Sequence, residues 1–174
     1  MAAEHLDENG LAVIAIHIPD IAALYHPFSK GKQLVLHDDV IAYIDYKAYP
    51  IPISYEIRLK FVGSFDEREK TVITQLVREH YGLRVQDKKL DLTYLYIKLL
   101  ALIVLGVTFL SASFGVQYLP VNHMIKETLS IIGTFALWEA TNTYILERRS
   151  AKTQFLNAGQ LATAEISFCD ETKI

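Results

Sequence analysis

Cysteine is almost missing: Cys169 is the single thiol of the 174-residue chain. One thiol closes no internal disulfide, so nothing asks for an oxidising compartment. No basic residue stands nearer to it than Lys173, so it carries no mark of an activated nucleophile. A surplus of one charge is missing too. The net charge is −3, and acidic residues are frequent before residue 92 and after residue 164, which does not favour a nucleic-acid surface. Glycine is sparse, and Gly31 and Gly63 stand alone, so there is no phosphate-cradling loop. There is no repeat of 20 to 50 residues and no low-complexity tract. The start, MAAEHLDENG, has no basic region leading into an apolar one, so a cleavable secretory signal is not expected.

Apolar residues are abundant: they make up 51% of the chain, with a mean hydropathy of +0.20, and the excess falls between about residues 94 and 146. Leu99 to Leu119 is free of charge. About 21 residues at helical rise reach roughly 30 Å, the thickness of a hydrocarbon core. Tyr94, Tyr96 and Lys98 precede this run and Tyr118 closes it, the residue types that anchor a span at its interfaces. Thr128 to Arg149 is less uniform: Glu139, Thr141, Asn142 and Thr143 interrupt it, and it stops on Glu147, Arg148 and Arg149. Beside the first run, across a turn containing Pro120 and Asn122, it reads as the second arm of a helical hairpin.

Lysine and arginine counts orient the pair. Arg78, Arg84, Lys88, Lys89 and Lys98 flank the first arm, Arg148, Arg149 and Lys152 flank the second, and the connecting loop holds only Lys126. Both termini are therefore expected in the cytoplasm. If Leu99 and Glu147 share the inner boundary, Glu139 falls level with Val107 and Thr108, roughly 12 Å deep. An acidic side chain there costs about 3 kcal/mol, so it has to face a helix or water. Glu139, Asn142 and Thr143 share a helical face, and Gly106 and Thr108 are small enough to let that face approach. These five residues are the expected intramembrane contacts, within the hairpin or between copies. Arg148 and Arg149, with Lys98, Tyr94, Tyr96 and Tyr118, are the expected interface anchors.

The rest of the chain reads as a small α+β domain. Ser54 to Val62 alternates, with Tyr55, Ile57, Leu59 and Phe61 on one face, as in a half-buried strand. Ser64 and Glu67 are spaced as a capping box for a helix over about 65–81, closed by Gly82, with Val72, Ile73, Leu76, Val77 and His80 as its apolar stripe. Leu11 to Ile18 and Gln33 to Lys47 read as strands with apolar residues on both faces, the second broken by a turn at His37-Asp38-Asp39. The prolines of Tyr49 to Ile53 keep that stretch out of a central strand. Leu161 to Phe168 alternates again, and a lone strand is unstable, so it should return to the N-terminal sheet. The expected organisation is a discontinuous cytoplasmic domain, 1–92 with 155–174, and an inserted transmembrane hairpin over 93–154, its spans at about 97–119 and 127–147.

Chemical motifs are few. His37, Asp38 and Asp39 form a close His-acid group a metal could use, and without further ligands a solvated turn is the expected reading. His17, His26 and His80 read as structural. Tyr43, Tyr46, Tyr49 and Tyr55 could form a binding surface, although tyrosine is common in strands. No cofactor is called for.

The segments Ile131-Ile132-Gly133, Trp138-Glu139-Ala140, Glu147-Arg148-Arg149 and Gln160 to Ile166, with the REHYGLR stretch before the first span, give the chain a pattern over about residues 54–168. In that pattern it resembles a group of small bacterial two-span membrane proteins. The resemblance implies a bacterial inner membrane and no particular activity; Gly159 before Gln160 departs from it. The function expected is that of a non-enzymatic, membrane-anchored interaction or regulatory protein. It would touch lipid, form homo-oligomers through its spans, and offer its sheet to a cytoplasmic protein or small ligand. The alternatives are an oligomeric pore-forming effector gated by the cytoplasmic domain and, behind it, a membrane-tethered metal hydrolase.

Overall fold

The computed structural model describes residues 10–29, 34–116, 118, 120 and 122–170. Gln33, Leu119 and the last four residues lie outside them. The protein combines helices with one small parallel sheet, and it divides into two compact units: Met1–Gln86 with Leu156–Ile174, and Asp87–Phe155.

The first unit holds the sheet. Strands β1 (Ala12–His17), β2 (Ile57–Val62) and β3 (Glu165–Cys169) lie side by side in that order, both pairs parallel. Parallel neighbours cannot be joined by a tight turn. Accordingly, a short 3-10 turn (Ile21–Leu24) and helix α1 (Asp38–Ala48) lie between β1 and β2, and the longer helices lie in the chain between β2 and β3. Ile57, Leu59 and Phe61 of β2 are buried, together with Ile14 and Ile16 of β1. They pack in one core with Ile44 of α1 and with Ile73, Val77 and Tyr81 of helix α2 (Glu67–Val116). Each such side chain contributes about 1.5–3 kcal/mol. Ile166 and Phe168 dock on the same core, Phe168 stacking on Phe61 at 5.7 Å, so the return of the tail is held by burial. Arg58 and Glu165, paired in register, add an ion pair at 2.9 Å.

Four local expectations are corrected. The stretch 38–48 is a helix, not a strand. Val40, Ile41, Ile44 and Ala48 recur at helical spacing, and a helical period viewed in a short window resembles a strand that is apolar on both faces. His37 is its N-cap, the Nδ1 accepting from the Asp39 N–H at 3.2 Å, with Asp38 and Asp39 in the first turn where the helix dipole favours acids. The second correction is the start of α2. The cap is made by Asp66 and Glu69: the Glu69 carboxylate accepts from the Asp66 N–H at 2.7 Å, and the Asp66 carboxylate accepts from the Glu67 N–H at 2.7 Å. Ser64 and Glu67 do not form it. Third, Gly82 does not end the helix. It lies inside α2, which is 50 residues long in all and has strong helix formers on both sides of the glycine. Fourth, Leu161 and Ala162 belong to helix α4 (Arg148–Ala162), so the last strand starts only at Glu165. Gln160 ties that helix to the loop before β2, donating to the carbonyls of Tyr55 (2.6 Å) and Pro52 (3.1 Å).

Candidate functional site

The second unit contains the feature that most needs an explanation. Helix α2 is long and apolar enough to cross a membrane, and only 6% of its most apolar 18-residue stretch is buried. A core helix of a water-soluble domain would be mostly covered. Leu100, Ile103, Val104, Leu105, Val107 and Phe114 all face outward. Helix α3 (His123–Asn142) also turns Ile131, Phe135 and Trp138 outward, the last 70% exposed.

Small residues let α2 and α3 meet. Gly133, Ala136 and Ala140 are buried along one side of α3. At Gly106 an added Cβ would lie 2.7 Å from Leu137, and at Gly133 one would lie 2.8 Å from Leu110, so both glycines mark close approach. Ser113 donates to the Lys126 carbonyl at 3.1 Å near the other end of the pair. A Gly/Ala seam of this kind admits two backbones that larger side chains would hold apart.

Charge gathers at the α3–α4 junction. A π-helical turn, Thr143–Glu147, joins the two helices, with the Arg148 N–H reaching back to the Thr143 carbonyl. Over eight residues an α-helix would carry Glu147 roughly a quarter-turn away from Glu139. The wider π turn offsets that drift, so Lys98 lies 3.0 Å from Glu147 and 3.9 Å from Glu139. Glu139 is therefore served by the lysine that begins the apolar run of α2, nearer the charged end than the level of Val107 and Thr108 expected from sequence. Arg148 donates through Nε to the Tyr96 hydroxyl at 3.1 Å and lies over the rings of Tyr144 (4.9 Å) and Tyr96 (5.9 Å).

The five expected contact residues do not act as one face. Gly106 is in the seam. Thr143 is fully buried with an unpartnered Oγ1, Glu139 is half-buried beside Lys98, and Asn142 is exposed. Thr108 is exposed and returns its hydroxyl to the Val104 carbonyl at 2.7 Å. Among the anchors, Lys98, Tyr96 and Arg148 belong to the junction network, whereas Tyr94, Tyr118 and Arg149 are exposed. Sequence reasoning missed Gly133, Ala136 and Ala140, although their spacing of three and four was readable, and it missed Glu147 as the partner of Lys98.

The sheet unit has one polar cluster of note. Asp45 of α1 contacts Arg84 of α2 and lies 3.4 Å from the Tyr81 hydroxyl. Burial, with the Asp45 charge second, pushes the Tyr81 pKa up. His80 beside it has a buried Nε2 without a partner; burial and then the Arg84 charge hold its pKa below the ordinary value. Among the described residues no three His, Cys, Asp or Glu side chains gather as a metal would require, and His37, Asp38 and Asp39 are occupied in capping α1. His17 is exposed rather than structural, while His26 accepts the Phe28 N–H. Tyr43 donates to the Ala15 carbonyl, and Tyr46 and Tyr49 are exposed on or next to α1. No family model matches the chain, and neither a curated protein nor a solved structure matches it.

Proposed function

We propose that the protein is a non-catalytic anchor of the bacterial inner membrane. In this reading the apolar half of α2 and α3 cross the bilayer as a hairpin, and both termini lie in the cytoplasm with the sheet unit. The observation that carries it is the exposed apolar surface of α2 and α3, far beyond what a water-soluble monomer leaves uncovered. Hydrocarbon covers such a surface; the seam, the Lys98 bridges and the Arg148–Tyr contacts accommodate the polar groups. The sheet unit then presents an interaction surface to a cytoplasmic protein or small ligand. With Thr143 enclosed and Glu139 served by Lys98, Asn142 is the polar side chain left for contact between copies. The pore-forming alternative needs Glu139 toward a lumen, and its place beside Lys98 favours the anchor.

Topology tests this directly. His123, 80% exposed at the start of α3, is replaced by cysteine in a Cys169→Ser background. An impermeant maleimide added to intact cells should label H123C and leave wild-type Cys169 unlabelled until the membrane is broken. Labelling of Cys169 from outside, or a protein that stays in solution without detergent, overturns the anchor.

A further inference from the structure

The first five residues of α4 carry three cations and no acid. Arg148, Arg149 and Lys152 fall within roughly a third of the helix circumference, and the sequence has no carboxylate from residue 148 to 164. Five basic side chains elsewhere are paired with carboxylates: Arg58 with Glu165, Lys70 with Glu67, Arg84 with Asp45, Lys88 with Asp91, Lys98 with Glu147. Among the described residues none of the three has one. Arg148 is also held in place. The Tyr96 hydroxyl takes its Nε–H and the Tyr144 ring lies beneath it, which fixes where the guanidinium sits. Before this stretch, Tyr144, Ile145 and Leu146 are exposed, separated from it by Glu147, whose carboxylate is paired with Lys98. α4 continues without a break from the π turn, so its backbone N–H groups are committed and the side chains alone make the surface.

We propose that this stretch binds the headgroup of anionic phospholipid, Arg148, Arg149 and Lys152 taking the phosphate charge while Tyr144, Ile145 and Leu146 lie against the glycerol and upper acyl region. The inference rests on the membrane reading above. Charge complementarity selects the occupant: cations without a carboxylate partner, close to a lipid-facing apolar surface, meet anionic headgroups at the cytoplasmic leaflet. Each such cation is worth about fivefold in association with anionic over neutral lipid, and arginine engages phosphate through two nitrogens at once.

The test uses the full chain in nanodiscs of mixed phosphatidylglycerol and phosphatidylcholine, with the lipid retained after mild detergent extraction counted by mass spectrometry. Phosphatidylglycerol should be enriched over its bulk fraction, less so at high salt. R149Q/K152Q should lower the enrichment by up to about 25-fold, roughly fivefold per cation. R149K/K152R should retain most of it, and Arg68→Gln, in the sheet unit, should leave it unchanged. Enrichment indifferent to R149Q/K152Q, or equal retention of both lipids, overturns the headgroup site while leaving the anchor intact. Displacement of the lipid by glycerol 3-phosphate at matched ionic strength overturns it in favour of a free-phosphate site. A chain that needs no detergent overturns the anchor itself.

Discussion

Alanine at Gly133 would place its Cβ 2.8 Å from Leu110 Cγ, 2.9 Å from the Leu110 backbone nitrogen and 3.0 Å from the Gly106 carbonyl oxygen. Carbon atoms settle at about 3.5–4.0 Å from one another. Two of the three neighbours are backbone, which no rotamer change can move, so α2 and α3 must separate or rotate. Overpacking of this kind costs about 1–3 kcal/mol. Against it stands the propensity gain of Gly→Ala inside a helix, about 1 kcal/mol. The net effect of Gly133→Ala is a loss of up to about 2 kcal/mol. Gly82 supplies the control: it is also inside a helix, but nothing lies within 4 Å of an added Cβ. There the propensity term acts alone, and Gly82→Ala should stabilise by about 1 kcal/mol. The assay is equilibrium unfolding of the full chain in mixed micelles against a denaturing detergent, followed by helical ellipticity and by the fluorescence of Trp138. The two variants should differ by about 1–3 kcal/mol, with Gly133→Ala the weaker. If both stabilise alike, the seam does not hold α2 and α3 at contact distance.

Thr143→Val replaces a fully buried hydroxyl that has no partner, and the same titration should show a gain of about 1 kcal/mol; a loss would reveal an acceptor supplied by another copy. Asp45→Asn removes the charge facing Arg84 and weakens the contact with Tyr81. Both ends of the ion pair are about one-third exposed, so the expected loss is about 1 kcal/mol, and an unchanged stability would show the pair to be screened. His80 faces Arg84 on its own helix and Asp45 and Asp38 from α1, and its folded pKa lies below the ordinary 6.5. The unfolded chain therefore binds the proton first as pH falls. Stability is at its full value above about pH 6.5, declines below it, and levels off once the folded state also protonates. His80→Leu should flatten that decline, and a profile identical to wild type would discard His80 as its source. Lys98→Met leaves Glu139 and Glu147 without their shared cation. The variant should unfold at lower detergent fraction, and Glu147→Gln in the same chain should recover part of the loss.

The sequence alone determined the elements whose signal is local. An uncharged run of about 30 Å is read from composition because hydropathy sums along the chain. The β2 strand shows itself by strict alternation, with Ile57, Leu59 and Phe61 inward and Arg58 and Lys60 partly open. That Phe168 would return to the sheet also followed, because a lone amphipathic strand cannot stand. What tertiary structure decided were matters of competition between signals. Residues 38–48 hold apolar side chains on a period that a strand and a short helix share, and burial against β1 and α2 selects the helix. Gly82 is a helix terminator by propensity, yet packing on one side and continuing helix on the other keep α2 unbroken. The parallel sense of β3, the pairing of Lys98 with Glu147, and the separation of Glu139, Asn142 and Thr143 depend on register between distant segments and on one added residue in a π turn. No local window contains that information, because it is set by which backbones small residues allow to touch.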